Sequence, residues 1–179
     1  DATVPTTIDV NYVYSDDDGA TWSSRTKMWD ALGTYGCPSP AGAIYNGSSY
    51  GVPFYAGSGG CYIGWTTDGI NFTWDNTAST AHLEPAYAVL GNGDILGVYR
   101  VATETYLFYN LYTSSWSTPT SAGIPGANTG RSAPCLVTHP NTDEVVCLIG
   151  DRAIGQPNDD SLTSALWAYA YDGSFTLLD

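Results

Sequence analysis

The side chains able to do chemistry are few and unevenly placed. Three acids, Asp16, Asp17 and Asp18, sit in the run Ser-Asp-Asp-Asp-Gly-Ala-Thr-Trp from Ser15 to Trp22. Glu84 stands directly before Pro85, and Arg100 follows further along. Arg131 and Arg152 come later still, in a chain with four arginines and one lysine. A planar guanidinium suits two-bond recognition of a carboxylate, so converging arginines would mark a site for an acidic ligand. The acid run could be a metal loop, a catalytic carboxylate cluster or a turn. A calcium loop would alternate its acids and end on a distal glutamate, and this run does neither. His82 and His139 have no metal-ligand partners at a recognisable spacing. No metal and no cofactor is expected.

Whatever these residues do, a scaffold must bring them together. The chain has 179 residues, enough for one domain with a sizeable core. Its net charge of −13 rules out the basic footprint of a nucleic-acid binder. The same charge disfavours attraction to anionic membranes. No apolar run approaches the roughly 18 residues needed to span a bilayer. Charged residues make up 13% and aromatics another 13%, with 14 Tyr and 6 Trp. Ser, Thr, Gly and Asn are also abundant. This is the composition expected of a secreted, cell-surface or virion-surface β protein. Tyr and Trp offer an apolar face with a polar edge, as sugar-binding surfaces do, although aromatics also simply favour strands.

No segment reads as a long amphipathic helix. Short alternating runs lie between Gly, Asn, Asp and Pro turns, which predicts an all-β fold. Three segments share one layout: a proline, a short apolar strand, a polar turn and a second apolar strand. They are anchored by Pro40, Pro85 and Pro134, spaced 45 and 49 residues apart. Each continues into two further strands. A repeat in the 40s built of several short strands is the signature of a β-propeller blade. The chain thus reads as one partial propeller domain over 1–179. A half blade covers 9–30, and four-stranded antiparallel blades cover 37–80, 82–123 and 131–179. That is about three and a half blades, short of the roughly four to eight that close a ring. Further blades are expected from another chain, a second copy or a longer parent protein.

The repeat fixes which residues share an edge. In a hairpin of a blade's first two strands, the start of one strand and the end of the other lie together. Fifteen residues after the three prolines come Tyr55, Arg100 and Ile149. Glu84 and Arg100 are therefore expected side by side at one rim, with Tyr55 of the preceding blade as neighbour. Arg131 and Arg152 are expected near the same edge of the next blade. Cys135 and Cys147 lie at equal distances from Asn141, which predicts a bridge across that hairpin. Cys37 and Cys61 are the second candidate pair.

Ser15-x-Asp17-x-Gly19-x-Thr21-Trp22 matches the Asp-box at every defined position, and so resembles the repeats of sialidases and related six-bladed propellers. Locally, the Asp and Ser side chains can bond backbone amides across a tight turn. The glycine can take a positive φ, and the Trp is expected to pack under the hairpin. The acids then read as structural. A degenerate box follows at Thr66-Thr67-Asp68-Gly69 with Phe72. There Thr replaces Ser, Asp and Gly are adjacent, and Phe replaces Trp.

The stretch from Glu84 to Arg100 also resembles a sialidase segment: glutamate, short strand, Leu-x-x-Gly, second strand, arginine. The resemblance covers most of residues 9–155. It implies that Glu84 is catalytic, accepting a proton from a tyrosine nucleophile, and that Arg100 is one of three arginines holding the substrate carboxylate. Arg131, Arg152 and Tyr55 are further substrate-binding candidates. The family's acid/base aspartate and nucleophilic tyrosine are not identifiable in this chain. The leading expectation is a sialidase-like glycoside hydrolase, or part of one, acting on terminal acidic sugars of a glycan. The alternatives are a non-catalytic glycan-binding or structural propeller module, or an Asp-box enzyme for another polysaccharide.

Overall fold

The computed structural model describes residues 10–29, 36–39, 41–56, 60–78, 82–101, 106–125, 133–139, 142–151 and 165–178. Every element among them is a strand, and all pairings are antiparallel.

The strands form four sheets in chain order. The first holds β1 (Val10–Tyr12) and β2 (Thr26–Trp29). In the second, β5 (Tyr50–Ala56), β6 (Cys61–Thr66) and β7 (Thr73–Ala78) follow an inner edge broken in two. That edge consists of β3 (Gly36–Pro38) and β4 (Ile44–Tyr45), both paired to β5. The third sheet runs β8 (His82–Val89), β9 (Ile95–Val101), β10 (Tyr106–Tyr112) and β11 (Thr120–Pro125). The fourth runs β12 (Cys135–Thr138), β13 (Val145–Asp151), β14 (Ala165–Tyr171) and β15 (Phe175–Leu177). Within each sheet, strands adjacent in sequence pair with each other, except that β3 and β4 both pair with β5.

The sheets stack face to face like the blades of a fan. On its inner edge, β8 touches β5 of the sheet before and β12 of the sheet after. The third sheet is therefore sandwiched, and Ile95–Tyr99 is buried at every position rather than at alternate ones. This explains why β9 reads as a continuous apolar run and not as an alternating one. One core layer packs Cys61, Ile63, Ala78, Tyr87, Ile95 and Tyr99 between the second and third sheets. The other packs Ala88, Leu96, Val98 and Leu107 against Val145, Cys147 and Ile149 of the fourth.

A polar network crosses the first of these layers. Asn110, 1% exposed, donates from Nδ2 to the Thr77 carbonyl (2.7 Å) and the Ser117 carbonyl (3.1 Å). Its Oδ1 accepts the Tyr99 hydroxyl at 2.7 Å. Tyr87 joins its hydroxyl to that of Thr77 at 2.6 Å. Gly97 lies directly across from Asn110 in the β9–β10 pairing. A Cβ there would fall 2.3 Å from the Tyr99 hydroxyl, so only glycine leaves room for the network.

The cysteine expectations are corrected. In the observed register Cys135 pairs with Leu148, and Leu136 pairs with Cys147. The hairpin is centred half a residue away from Asn141, and that shift puts the two thiols on opposite faces. Cys135 is exposed, Cys147 is buried in the core, and both are free. Cys61 is free too. Cys37 and Cys61 pair with Tyr55 from opposite sides of the same row. Two strand spacings, about 9–10 Å, separate their backbones, beyond the reach of a disulfide.

Candidate functional site

Glu84 and Arg100 meet at the rim where β8 begins and β9 ends. Arg100 Nε donates to Glu84 Oε2 at 2.5 Å, and Nη2 donates to Oε1 at 2.7 Å. The contact is a side-on, two-bond ion pair between half-buried side chains, 24% and 22% exposed.

Regular pleating would not produce this contact. Leu83 is the residue paired with Arg100, so the next residue along β8 would project from the opposite face. The register slips between Leu83 and Ala86, which pairs with Val98. Glu84 and Pro85 thus both oppose Tyr99, forming a β-bulge. Glu84 takes the left-handed position at φ 49°. Glycine is the usual occupant of such a position, and a residue before proline is normally extended. The bulge turns Glu84 toward Arg100 at some cost in backbone energy, a pattern found most often at functional sites.

The five N–H groups of Arg100 are not used up. Glu84 takes one from Nε and one from Nη2, which leaves both on Nη1 and one on Nη2 for another acceptor. Beneath the pair lies a neighbour that the sequence did not announce. Cys61 is fully buried, and its thiol is pushed well above its ordinary range, first by burial and then by the Glu84 charge. Tyr55, expected beside the pair, is half-buried and packs against the cluster of Cys61, Tyr87 and Tyr99 on the same side. Arg131 and Arg152 lie outside the described residues.

The acid run proves to be a turn. Ser15 Oγ donates to Asp17 Oδ1 at 2.8 Å and accepts Gly19 N–H at 2.7 Å. Thr21 donates to Asp17 through its backbone (2.8 Å) and its hydroxyl (2.6 Å). These bonds, with the Thr21 hydroxyl first, hold the Asp17 carboxyl below the usual range. Asp18 and Gly19 take φ of 55° and 87°. Trp22 differs from expectation. Its indole N–H donates to the Gly19 carbonyl at 3.1 Å, but the ring is 62% exposed rather than packed beneath the hairpin.

The degenerate turn builds the same device with other residues. Thr66 Oγ1 accepts Gly69 N–H at 2.8 Å, as Ser15 does for Gly19. Asp68 Oδ1 accepts the amides of Ile70 (2.9 Å) and Asn71 (2.8 Å), and Asn71 Nδ2 donates to Oδ2 at 2.7 Å. Asn71 replaces Thr21 as the closing donor. Phe72 stacks on Trp74 at 5.6 Å.

No known protein-family pattern and no curated protein sequence matches this chain. Solved structures do. An intramolecular trans-sialidase from Ruminococcus gnavus, in complex with oseltamivir carboxylate, superposes over 93% of this chain with a TM-score of 0.60 and 17% identity. A Hadza microbial sialidase covers 94% at 0.58 and 16%. A protein of unknown function from Dyadobacter fermentans covers 89% at 0.62 and 13%. The chain has a sialidase-like β-propeller fold. It spans 38%, 36% and 47% of the lengths of those three structures, so it corresponds to part of a propeller. The Thr66–Phe72 turn lies at the far end of β6 from Cys61, the residue beside Glu84, so Asp68 and the ion pair sit at opposite strand ends. Among the described residues no helix is long and apolar enough to cross a membrane.

Proposed function

We propose that this chain supplies part of the active rim of a glycoside hydrolase for terminal acidic sugars, with Glu84 and Arg100 as its contribution. The observation that carries the reading is the side-on ion pair at the inner rim, on a fold shared with sialidases. The open N–H groups of Arg100 suit a substrate carboxylate, and Arg131 and Arg152, expected from the sequence repeat near the same edge of the next blade, would add to that recognition. Glu84 would take the phenolic proton of a tyrosine as its oxygen attacks the anomeric carbon. The glycosidic C–O bond breaks, and a separate acid protonates the leaving oxygen. A neutral nucleophile fits an anionic sugar, which would repel an attacking carboxylate. The tyrosine, the acid and the remaining blades would come from elsewhere in the assembly. A secreted or surface-exposed setting accords with the glycan substrate.

One observation favours a non-catalytic reading. Both Glu84 oxygens are engaged by Arg100, which suits a rigid glycan-binding rim as well as a resting base. Hydrolysis of a fluorogenic sialoside by the assembled protein decides between them. Glu84→Gln should lower kcat by roughly 10²–10⁴-fold if Glu84 handles a proton. Saturable sialoside binding without turnover would establish the binding module, and turnover indifferent to the substitution would remove Glu84 from the chemistry.

A further inference from the structure

A second concavity lies at the opposite end of the same inner strands. It has a volume of about 720 Å³ and opens between β4, the turn after β8, and β12 with the turn that follows it. Glu84 sits six residues from Leu90 along β8, so about 20 Å separates this mouth from the ion pair. The concavity is distinct from the site above, and nothing assigned so far uses it.

Its walls combine small residues, such as Gly47, Gly91 and Gly93, with larger apolar ones, such as Ile44, Leu90 and Leu136. Two side chains give it chemical character. Tyr45 lines it with a ring that is 53% exposed, yet fixed by the hydroxyl donating to the Gly47 carbonyl at 2.8 Å. Tyr50 stands beside it at 4.9 Å between centroids, 54% exposed, extending the aromatic surface. Across the mouth is Asp143, held at φ 56° with its carboxylate over Gly91. A Cβ at Gly91 would lie 2.9 Å from Asp143 Oδ2, so glycine is what lets the carboxylate settle at the rim.

A fixed, solvent-facing aromatic ring opposite a carboxylate is suited to a pyranose. The apolar face of the sugar stacks on the ring, and its hydroxyls donate to the acid. Charge narrows the class. Asp143 is the one charged residue among those lining the concavity, and the chain carries −13 overall. An acidic sugar would be repelled there.

We infer that this concavity is a binding site for neutral glycan, separate from the Glu84–Arg100 rim. Tyr45 is its stacking platform and Asp143 its hydroxyl acceptor. The site would hold an uncharged stretch of glycan without cleaving it. The inference does not depend on the hydrolase reading.

The test is a printed array of neutral and sialylated glycans, followed by calorimetric titration with the strongest neutral ligand. Saturable binding of neutral glycans is expected. Tyr45→Ala should weaken it on the order of tenfold or more, and Asp143→Ala comparably. Tyr45→Phe keeps the ring and should bind within a few-fold of the parent. Both residues are exposed, and circular dichroism of each variant confirms that folding is unchanged. Glu84→Gln should leave this binding intact while altering sialoside handling, which separates the two sites. Binding of sialylated glycans alone, no saturable binding, or binding indifferent to Tyr45→Ala would each overturn the inference.

Discussion

Glu84 reaches Arg100 because the strand carrying it breaks register one residue after Leu83, the true partner of Arg100. The carboxylate arrives on the same side of the strand as the guanidinium through a left-handed backbone at φ 49°, in a place where glycine is usual. Function and backbone conformation therefore pull on one residue from opposite directions, and substitutions can separate them.

Glu84→Ala and Glu84→Gly both lose the Arg100 bonds, but only glycine relieves the left-handed backbone. Glu84→Gly is expected to be more stable than Glu84→Ala by about 1 kcal/mol in chemical denaturation. Equal stabilities would mean that the bulge relaxes once the carboxylate is gone. The ion pair itself, being part-exposed, should contribute no more than about 1 kcal/mol.

Asn110 satisfies three partners at once between the second and third sheets. Asn110→Leu strands the Tyr99 hydroxyl and the Thr77 carbonyl in a buried layer. A loss of about 3 kcal/mol or more is expected from denaturant midpoints, against about 1 kcal/mol for Tyr99→Phe. Gly97→Ala should resemble the larger loss, because its new methyl would collide with the Tyr99 hydroxyl.

The thiols should react in a fixed order. Cys135 is exposed and should alkylate within minutes at pH 8 under native conditions. Burial pushes the Cys147 thiol up to about 12, leaving almost no thiolate at that pH, and burial also holds the Cys61 thiol well above its ordinary range. Both should stay protected until the protein unfolds. Peptide mapping after native alkylation checks this, and a Cys135–Cys147 bridge in the non-reduced map would contradict the register.

The Asp68 turn gives a pH signature. Its carboxylate accepts backbone and side-chain bonds from Asn71 first, then Ile70, which holds it well below the ordinary 3.8. With the folded value below the unfolded one, the turn's stabilisation is complete above about pH 4. It is lost as the pH falls through the folded value. The Ile70 and Asn71 amide resonances should therefore titrate with a midpoint clearly below 3.8. A midpoint at 3.8 would mean that the carboxylate is not capping the turn.

Much of this was legible from residue order. Short apolar runs between Gly and Asp turns gave the strands, and the proline spacing gave the repeat of sheets. Local chemistry gave the Ser15–Trp22 turn, because Ser15, Asp17 and Thr21 bond each other within a few residues and need no distant partner. The cysteines failed for the opposite reason. A hairpin centre misplaced by half a residue reverses the faces of every side chain on one strand, and Asn141 symmetry carries no such precision. Trp22 failed because its burial depends on what lies across the sheet and not on the turn.

The sequence by itself determined the class of fold, the phase of the strands and the rim at which Glu84 and Arg100 end, since these follow from spacing and periodicity. Tertiary structure alone decided that the two side chains touch. Alternation along β8 sends them to opposite faces, and the bulge that overrides it is held by packing around Tyr99 and Pro85. It also decided that Cys61 lies beneath Glu84, and that Tyr45 and Asp143 share a concavity. Such meetings join residues from different sheets, and no periodicity within one strand encodes them.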